Sequence, residues 1–315
     1  YGKSFVIFDT TDQKTLIKDC IKQLNLSEKH YEPASIMGFI GSQKDNLVEP
    51  DTYINLHYGD YRERQKGEIY RLYQQRLKEN NALDFDDLIN KTIELFRQFP
   101  DILEFYQNKF RYILVDEYQD TNRAQYTLIN LLSKKYNNIC VVGDDDQSIY
   151  KFRGADIRNI LDFEKDYKNT KVIKLEQNYR STKTILNAAN QVIENNEGRK
   201  SKRLWTANKE GCPIKVFSGA NEHEEANFIV DKINELSLKE DRKLSDFAIL
   251  YRTNAQSRVI EEAFLKANLP YKIVGGHKFY DRKEIKDIVA YLRLIQNPVD
   301  NYAFKRIINV PKRGI

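Results

Sequence analysis

The run from Tyr112 to Asp156 constrains this chain more than any other part of it: YILVDEYQDTNRAQYTLINLLSKKYNNICVVGDDDQSIYKFRGAD. Tyr112–Val115 is a continuous apolar stretch, the pattern of a strand buried on both faces. Asp116 and Glu117 follow at its C-terminal end. A helical stretch comes next, with Tyr126, Leu128, Ile129, Leu131 and Leu132 at mixed three- and four-residue spacing. Ile139–Val142 repeats the buried-strand pattern and runs into Gly143, Asp144–Asp146 and Gln147. The spacing predicts a β-α-β unit with acid and amide groups on the C-terminal edges of two strands. That edge is where open parallel sheets bind ligands.

A chain of 315 residues is long enough for two or three domains. Its net charge of +5 permits nucleic-acid binding without demanding it. Cys20, Cys140 and Cys212 lie far apart with no C-x-x-C, which argues against a disulfide framework or a zinc site and suits a reducing cytoplasm. No apolar run approaches the roughly 18 residues of a membrane helix, so no membrane partner is expected.

Elsewhere, Phe5–Phe8 predicts a short strand, and Asp9-Thr10-Thr11 a helix N-cap. Residues 10–82 read as a helical insert, with Ile69, Leu72, Tyr73 and Leu77 on one face of its last helix. Leu83–Ile89 opens a helix running to about Arg97. Val172–Leu175, Ile214–Phe217 and Phe247–Tyr251 predict further strands. Helices are expected after Thr182, over Glu222–Leu236 and over Phe279–Leu294. Gly198–Lys209 reads as a basic loop around Trp205.

Two spacings carry chemistry: Asp-Glu-x-x-Asp-Thr-x-Arg from Asp116, and Gly-Asp-x-x-Gln-x-Ile-Tyr-x-Phe-Arg-Gly-Ala from Gly143. A strand-end Asp116 suits Mg²⁺, held through a metal-bound water. Glu117 beside it suits a general base on an attacking water, and Gln147 can hydrogen-bond a phosphate or that water without adding charge. Tyr150, Phe152 and Arg153 interleave aromatics with a cation, a pattern of single-strand binders, although such aromatics taken alone belong more often to a core and only a family resemblance makes them DNA contacts. With these motifs the chain resembles the UvrD/PcrA group of superfamily I DNA helicases over nearly its whole length.

The resemblance implies ATP and Mg²⁺ as cofactors, and RecA-like parallel-sheet α/β core domains with helical accessory inserts. It divides the chain into residues 1–9 and 83–175 (first core, incomplete), 10–82 (accessory insert), 176–275 (second core, partial) and 276–315 (start of a second accessory domain). By the same resemblance Tyr179 stacks on adenine, and Arg180 reaches the γ-phosphate from the second core. Arg252 and Asn254 contact the DNA backbone, the Gly275-Gly276 turn and Phe279–Asp287 enter the duplex-facing accessory domain, and Pro311–Ile315 begins a Gly-x-Gly loop. Phe152 stands where the family often has Trp, which leaves less surface for stacking.

The implied activity is ATP-dependent 3′→5′ translocation and unwinding in DNA repair or replication. The implied partners are single-stranded DNA, single/double-strand junctions and proteins of those pathways, with the enzyme a monomer or weak dimer. Gly2-Lys3-Ser4 copies the end of a phosphate-binding loop but lacks its upstream glycine and precedes a strand pattern. The true loop is therefore expected N-terminal to Tyr1 and later motifs beyond Ile315, leaving the chain alone deficient in ATP turnover. Two alternatives stand beside this reading. One is a metal-dependent nuclease using Asp116, Glu117 and Asp144–Asp146. The other is a DNA-binding or partner-docking module without a motor.

Overall fold

A computed structural model describes residues 1–196, 202–274 and 283–315. The expected Gly275-Gly276 turn, the first half of Phe279–Asp287 and the first four residues of the basic loop, 198–201, fall outside them. The chain forms two compact units, Tyr1–Leu175 with Ile193–Arg203 and Arg282–Ile315, and Glu176–Val192 with Leu204–Asp281. It is mostly helical with two small parallel sheets. No described helix is long and apolar enough to cross a membrane.

In the first unit, β1 (Val6–Ile7) pairs in parallel with β2 (Ala82–Leu83), bracketing α1 (Thr10–Gln23), α2 (Pro33–Asp45), α3 (Pro50–Leu56) and α4 (Tyr61–Glu79). Asp9 caps α1 through the backbone amides of Thr11 and Asp12, and the Asp12 side chain returns the bond as a capping box. Leu16, Ile17, Cys20 and Ile21 then fall on one helical face. They bury against Phe8, Ile36, Ile40, Ile69, Tyr73 and Leu77. Gly2–Ser4 makes a turn into β1, not into a helix.

Asp84 caps α5 (Phe85–Gln98) with Asp87 as its capping-box partner. The Lys44 ammonium, at the end of α2, reaches both carboxylates: 2.5 Å to Asp84 and 2.9 Å to Asp87. Tyr73 of α4 donates its hydroxyl to Asp84, and Gln74 donates to Asp87. Burial opposes ionisation of both acids. Lys44, the Tyr73 hydroxyl and the Asp87 amide nevertheless hold Asp84 below the usual carboxylate range, whereas burial and the charge on Asp84 push Asp87 up. One buried cation thus ties α2, α4 and α5 together.

The helix α6 (Pro100–Lys109) leads to β3 (Ile113–Val115), α7 (Arg123–Ser133) and β4 (Ile139–Val141), the expected strand-helix-strand order. The strands pair in parallel with Ile113 opposite Ile139 and Val115 opposite Val141. They are not buried on both faces: Ile113 and Val115 are half-buried, but Leu114 is 79% exposed. The apolar run was a sound sign of a strand and a poor guide to its cover, because side chains alternate across a strand and only one face is packed here.

After β4 come α8 (Arg158–Leu161) and α9 (Phe163–Asp166). In this unit α13 (Lys283–Gln296) and α14 (Asn301–Ile307) pack through Ala290, Ala303 and Ile307. They bond to the helical insert: Arg293 pairs with Asp12 at 2.6 Å, and Asn297 donates to the Asn80 carbonyl at 2.8 Å.

The second unit contains α10 (Lys183–Ile193), α11 (Glu222–Glu240) and α12 (Ser257–Lys266). Its core joins Ala226, Val230 and Ile233 of α11 to Ala263 and Phe264 of α12, with Phe247 and Ile249 against them. Val172–Leu175, Ile214–Phe217 and Phe247–Tyr251 form no strands. An apolar run favours extended backbone, but a strand exists only where a neighbour supplies a hydrogen-bond ladder. The single bridge among the described residues of these regions joins Gln177 to Trp205.

A half-buried carboxylate gives the first unit a measurable pH signature. Asp45, at the end of α2, is pushed up to about 6 by burial, against the bond it accepts from Asn122. Asp86 is raised to about 6 by burial and by the charges of neighbouring carboxylates. Between the ordinary value of 3.8 and about 6 the folded chain therefore holds more protons than the unfolded one. Stability should rise as pH falls from 7.5 to 5, and drop again in stronger acid as Asp84 loses its charge. Asp45→Asn keeps an acceptor for Asn122 and should raise the melting temperature at pH 7.5 while flattening that rise. A melting series across this pH range checks both effects.

Candidate functional site

The backbone turns sharply where β3 ends. Glu117 adopts a left-handed conformation with φ 51°, and its amide donates to Asp116 Oδ1 at 2.9 Å. A non-glycine residue is seldom held there without support. The support comes from Tyr118, whose amide donates to the Val142 carbonyl at 3.0 Å and anchors the turn to the end of β4. Asp116 and Glu117 are both exposed. They rim a depression of about 400 Å³ that is floored by Val115, Leu128 and Ile129.

On the β4 side, Asp144 caps the short turn Asp145–Gln147 through the Asp146 amide. Gln147 donates its side-chain amide to Asp144 Oδ2 at 2.8 Å. Gln119 links the two strand ends, donating Nε2 to Glu117 Oε2 at 2.7 Å and accepting from the Asp144 amide at 2.9 Å. Glu117, Gln119, Asp144 and Gln147 are thus one hydrogen-bonded path.

Lys202 reaches the same turn, bonding to Asp144 and lying 2.7 Å from Asp145 and 3.4 Å from Asp146. Burial opposes its charge, but the carboxylates prevail and raise its pKa. Asp144 is held low in return by Lys202 and Gln147, although burial alone would raise it. Asp144–Asp146 have the spacing of a cation site. The lysine ammonium already sits among them, and the Gln119 carboxamide stands between Glu117 and Asp144, so a two-metal cluster shared with Asp116 and Glu117 is poorly served. Asp116 is better suited to Mg²⁺. It is a hard oxygen donor at the rim of a depression, and Mg²⁺ completes its shell with waters and phosphates around one or two carboxylates.

Three residues after Gln147, Tyr150, Phe152 and Arg153 come together. The Arg153 guanidinium lies 4.9 Å from the Tyr150 ring centre and 5.5 Å from that of Phe152. Phe152 is 66% exposed. Gly154 follows with φ 83°, and a Cβ there would meet the Asp45 carboxylate at 2.3 Å, so glycine is needed for both shape and space. Asp45 also accepts from Asn122, the N-cap of α7, and so braces this turn against the start of that helix.

Tyr179, Arg180, Arg252 and Asn254 belong to the second unit. Asn178 Oδ1 accepts from the amides of Arg180 and Ser181, shaping a turn that leaves Tyr179 78% exposed. The Tyr179 hydroxyl donates to Gln177 at 3.0 Å. Arg252 and Asn254 are exposed at the entry to α12, where the Gln256 side chain accepts from the Arg252 and Thr253 amides.

Gln119, Asp45 and the contact of Lys202 were not singled out from sequence. Gln119 sits inside the Asp-Glu-x-Gln spacing, which is the one local signal that marks it. The other two act through partners far along the chain.

Comparison with known proteins gives a consistent result. The UvrD/REP helicase N-terminal domain matches residues 1–168, and the UvrD-like helicase C-terminal domain matches residues 173–315. The chain is 59% identical over 314 residues to the ATP-dependent DNA helicase PcrA of Bacillus subtilis, covering 100% of this chain and 42% of that protein. It is 56% identical over 313 residues to PcrA of Staphylococcus aureus, covering 99% of this chain and 43% of that protein. The chain thus spans less than half the length of these relatives.

Proposed function

Because this chain belongs to the UvrD/REP helicase family, we propose that it supplies hydrolytic and strand-contacting surfaces of an ATP-driven 3′→5′ DNA translocase and helicase of repair and replication. One observation carries the reading. The path from Glu117 through Gln119 and Asp144 to Gln147 runs directly into the Tyr150–Phe152–Arg153 platform. A group suited to activate water is thus joined by hydrogen bonds to Gln147, three residues before the first group suited to stack bases.

In this reading Asp116 would hold Mg²⁺, which would supply positive charge to the phosphates. Glu117 accepts the proton of the attacking water. Gln147 hydrogen-bonds the γ-phosphate and releases it when that phosphate leaves, so hydrolysis displaces the turn bearing Tyr150 and Phe152. Tyr179 stacks on the adenine, and Arg180 offsets charge developing on the γ-phosphate, which couples ATP binding to closure of two RecA-like domains. Arg252 and Asn254 hold the DNA backbone. Residues 10–82 and 276–315 are the accessory parts in this scheme.

The strand-contacting half is tested by single-strand affinity. In the full gene product, Phe152→Ala should weaken binding to an oligothymidylate by about 1–3 kcal/mol, the worth of one stacked base. Arg153→Ala should lower the slope of log affinity against log salt by roughly 0.7. Fluorescence anisotropy at several salt concentrations reads both. Unchanged affinity in both variants would remove the platform from the account.

A further inference from the structure

We propose that Gln119 is the positioning residue that aims the Glu117 carboxylate and binds its orientation to the turn carrying Gln147, an inference that rests on the hydrolytic reading above. Gln119 is 1% exposed. Its carboxamide has a carboxylate at one end, Glu117 Oε2 at 2.7 Å, and a backbone N–H at the other, Asp144 at 2.9 Å. A carboxylate only accepts and an N–H only donates, so the amide fits in one orientation alone. Neither neighbour tolerates a flip.

The slot around it is closed. A Cβ at Gly143 would lie 2.5 Å from Gln119 Oε1, 2.7 Å from the end of Ile160 and 3.2 Å from the Tyr118 amide. The absent side chain at Gly143 is what lets the Gln119 amide approach the Asp144 backbone. Glu117 is otherwise exposed on a left-handed residue, and an exposed carboxylate on free rotors gives little preorganisation. The buried amide supplies it. When the Asp144–Gln147 turn shifts with the state of the nucleotide, Gln119 carries that shift to the base.

Gln119→Glu separates this role from simple support of the turn. The replacement has the same length and still accepts from the Asp144 amide. Ionised, it cannot donate to Glu117 and sets a second carboxylate against it; protonated, it shares its proton with Glu117 and blunts the base. In the full gene product, kcat for ATP hydrolysis with single-stranded DNA should fall roughly 10- to 100-fold, the scale of a misplaced catalytic group, with KM for ATP little changed. Gly143→Ala displaces the Gln119 amide without removing it and should give the same kcat-selective loss. It keeps the inference testable should the buried charge in Gln119→Glu prevent folding.

Wild-type hydrolysis with kcat unchanged in Gln119→Glu would overturn the positioning role alone. So would a kcat loss matched by an equal loss of ATP affinity, which is what general damage to the site produces. Absence of hydrolysis in the wild type would overturn the functional reading and this inference with it.

Discussion

Lys44→Met should destabilise the chain by about 3–5 kcal/mol, the cost of leaving a buried charge without its partner. Lys44, Asp84 and Asp87 are each 2% exposed or less, so water cannot replace the lost ammonium. Two carboxylates would then face each other in the interior. Asp84 would keep the Tyr73 hydroxyl and the Asp87 amide as donors, and Asp87 would keep Gln74. Neither set balances two negative charges, so protonation would follow and stability should recover towards acid pH. The damage is electrostatic rather than steric, since methionine fills most of the lysine volume. Adding Asp84→Asn and Asp87→Asn to Lys44→Met should therefore recover more than half of the loss while keeping a capping side chain at position 84. Urea unfolding of the three proteins measures it. A loss under about 1 kcal/mol in Lys44→Met would mean that the cluster contributes no more than an exposed ion pair.

The parts of this molecule legible in its sequence are those decided locally. Asp9-Thr10-Thr11 marks the start of α1 within three residues, and the order β3-α7-β4 follows from two apolar runs around an amphipathic stretch. Val172–Leu175, Ile214–Phe217 and Phe247–Tyr251 carry the same apolar signal yet form no ladder, because a strand's partner is not written in the strand. The same holds at the site. Asp116, Glu117 and Gln147 stand out because their chemistry sits at strand ends. The bond from the Asp144 amide to Gln119 spans 25 positions and that from Lys202 to Asp144 spans 58. Such contacts depend on how β3 and β4 align and on where the later chain returns. A buried glutamine also gives no compositional warning that both ends of its amide are engaged.

Glu117→Gln should lower kcat for ATP hydrolysis by about 10²–10⁴-fold, the usual contribution of a general base. The substitution preserves length and hydrogen-bonding capacity and removes the group's ability to take a proton at neutral pH. Gln119 can still donate to the new amide oxygen, so the Asp144–Gln147 turn and the Tyr150–Phe152–Arg153 platform should keep their places. ATP KM and single-strand affinity should consequently change little, which separates a chemical defect from a binding defect.

The rate of ATP hydrolysis with and without single-stranded DNA, in wild-type full gene product and in Glu117→Gln, tests the central claim most directly. The account predicts hydrolysis that single-stranded DNA stimulates in the wild type, and loss of that turnover in the variant with DNA binding intact. Strand binding without DNA-stimulated turnover in the wild type, or equal turnover in both proteins, would contradict it.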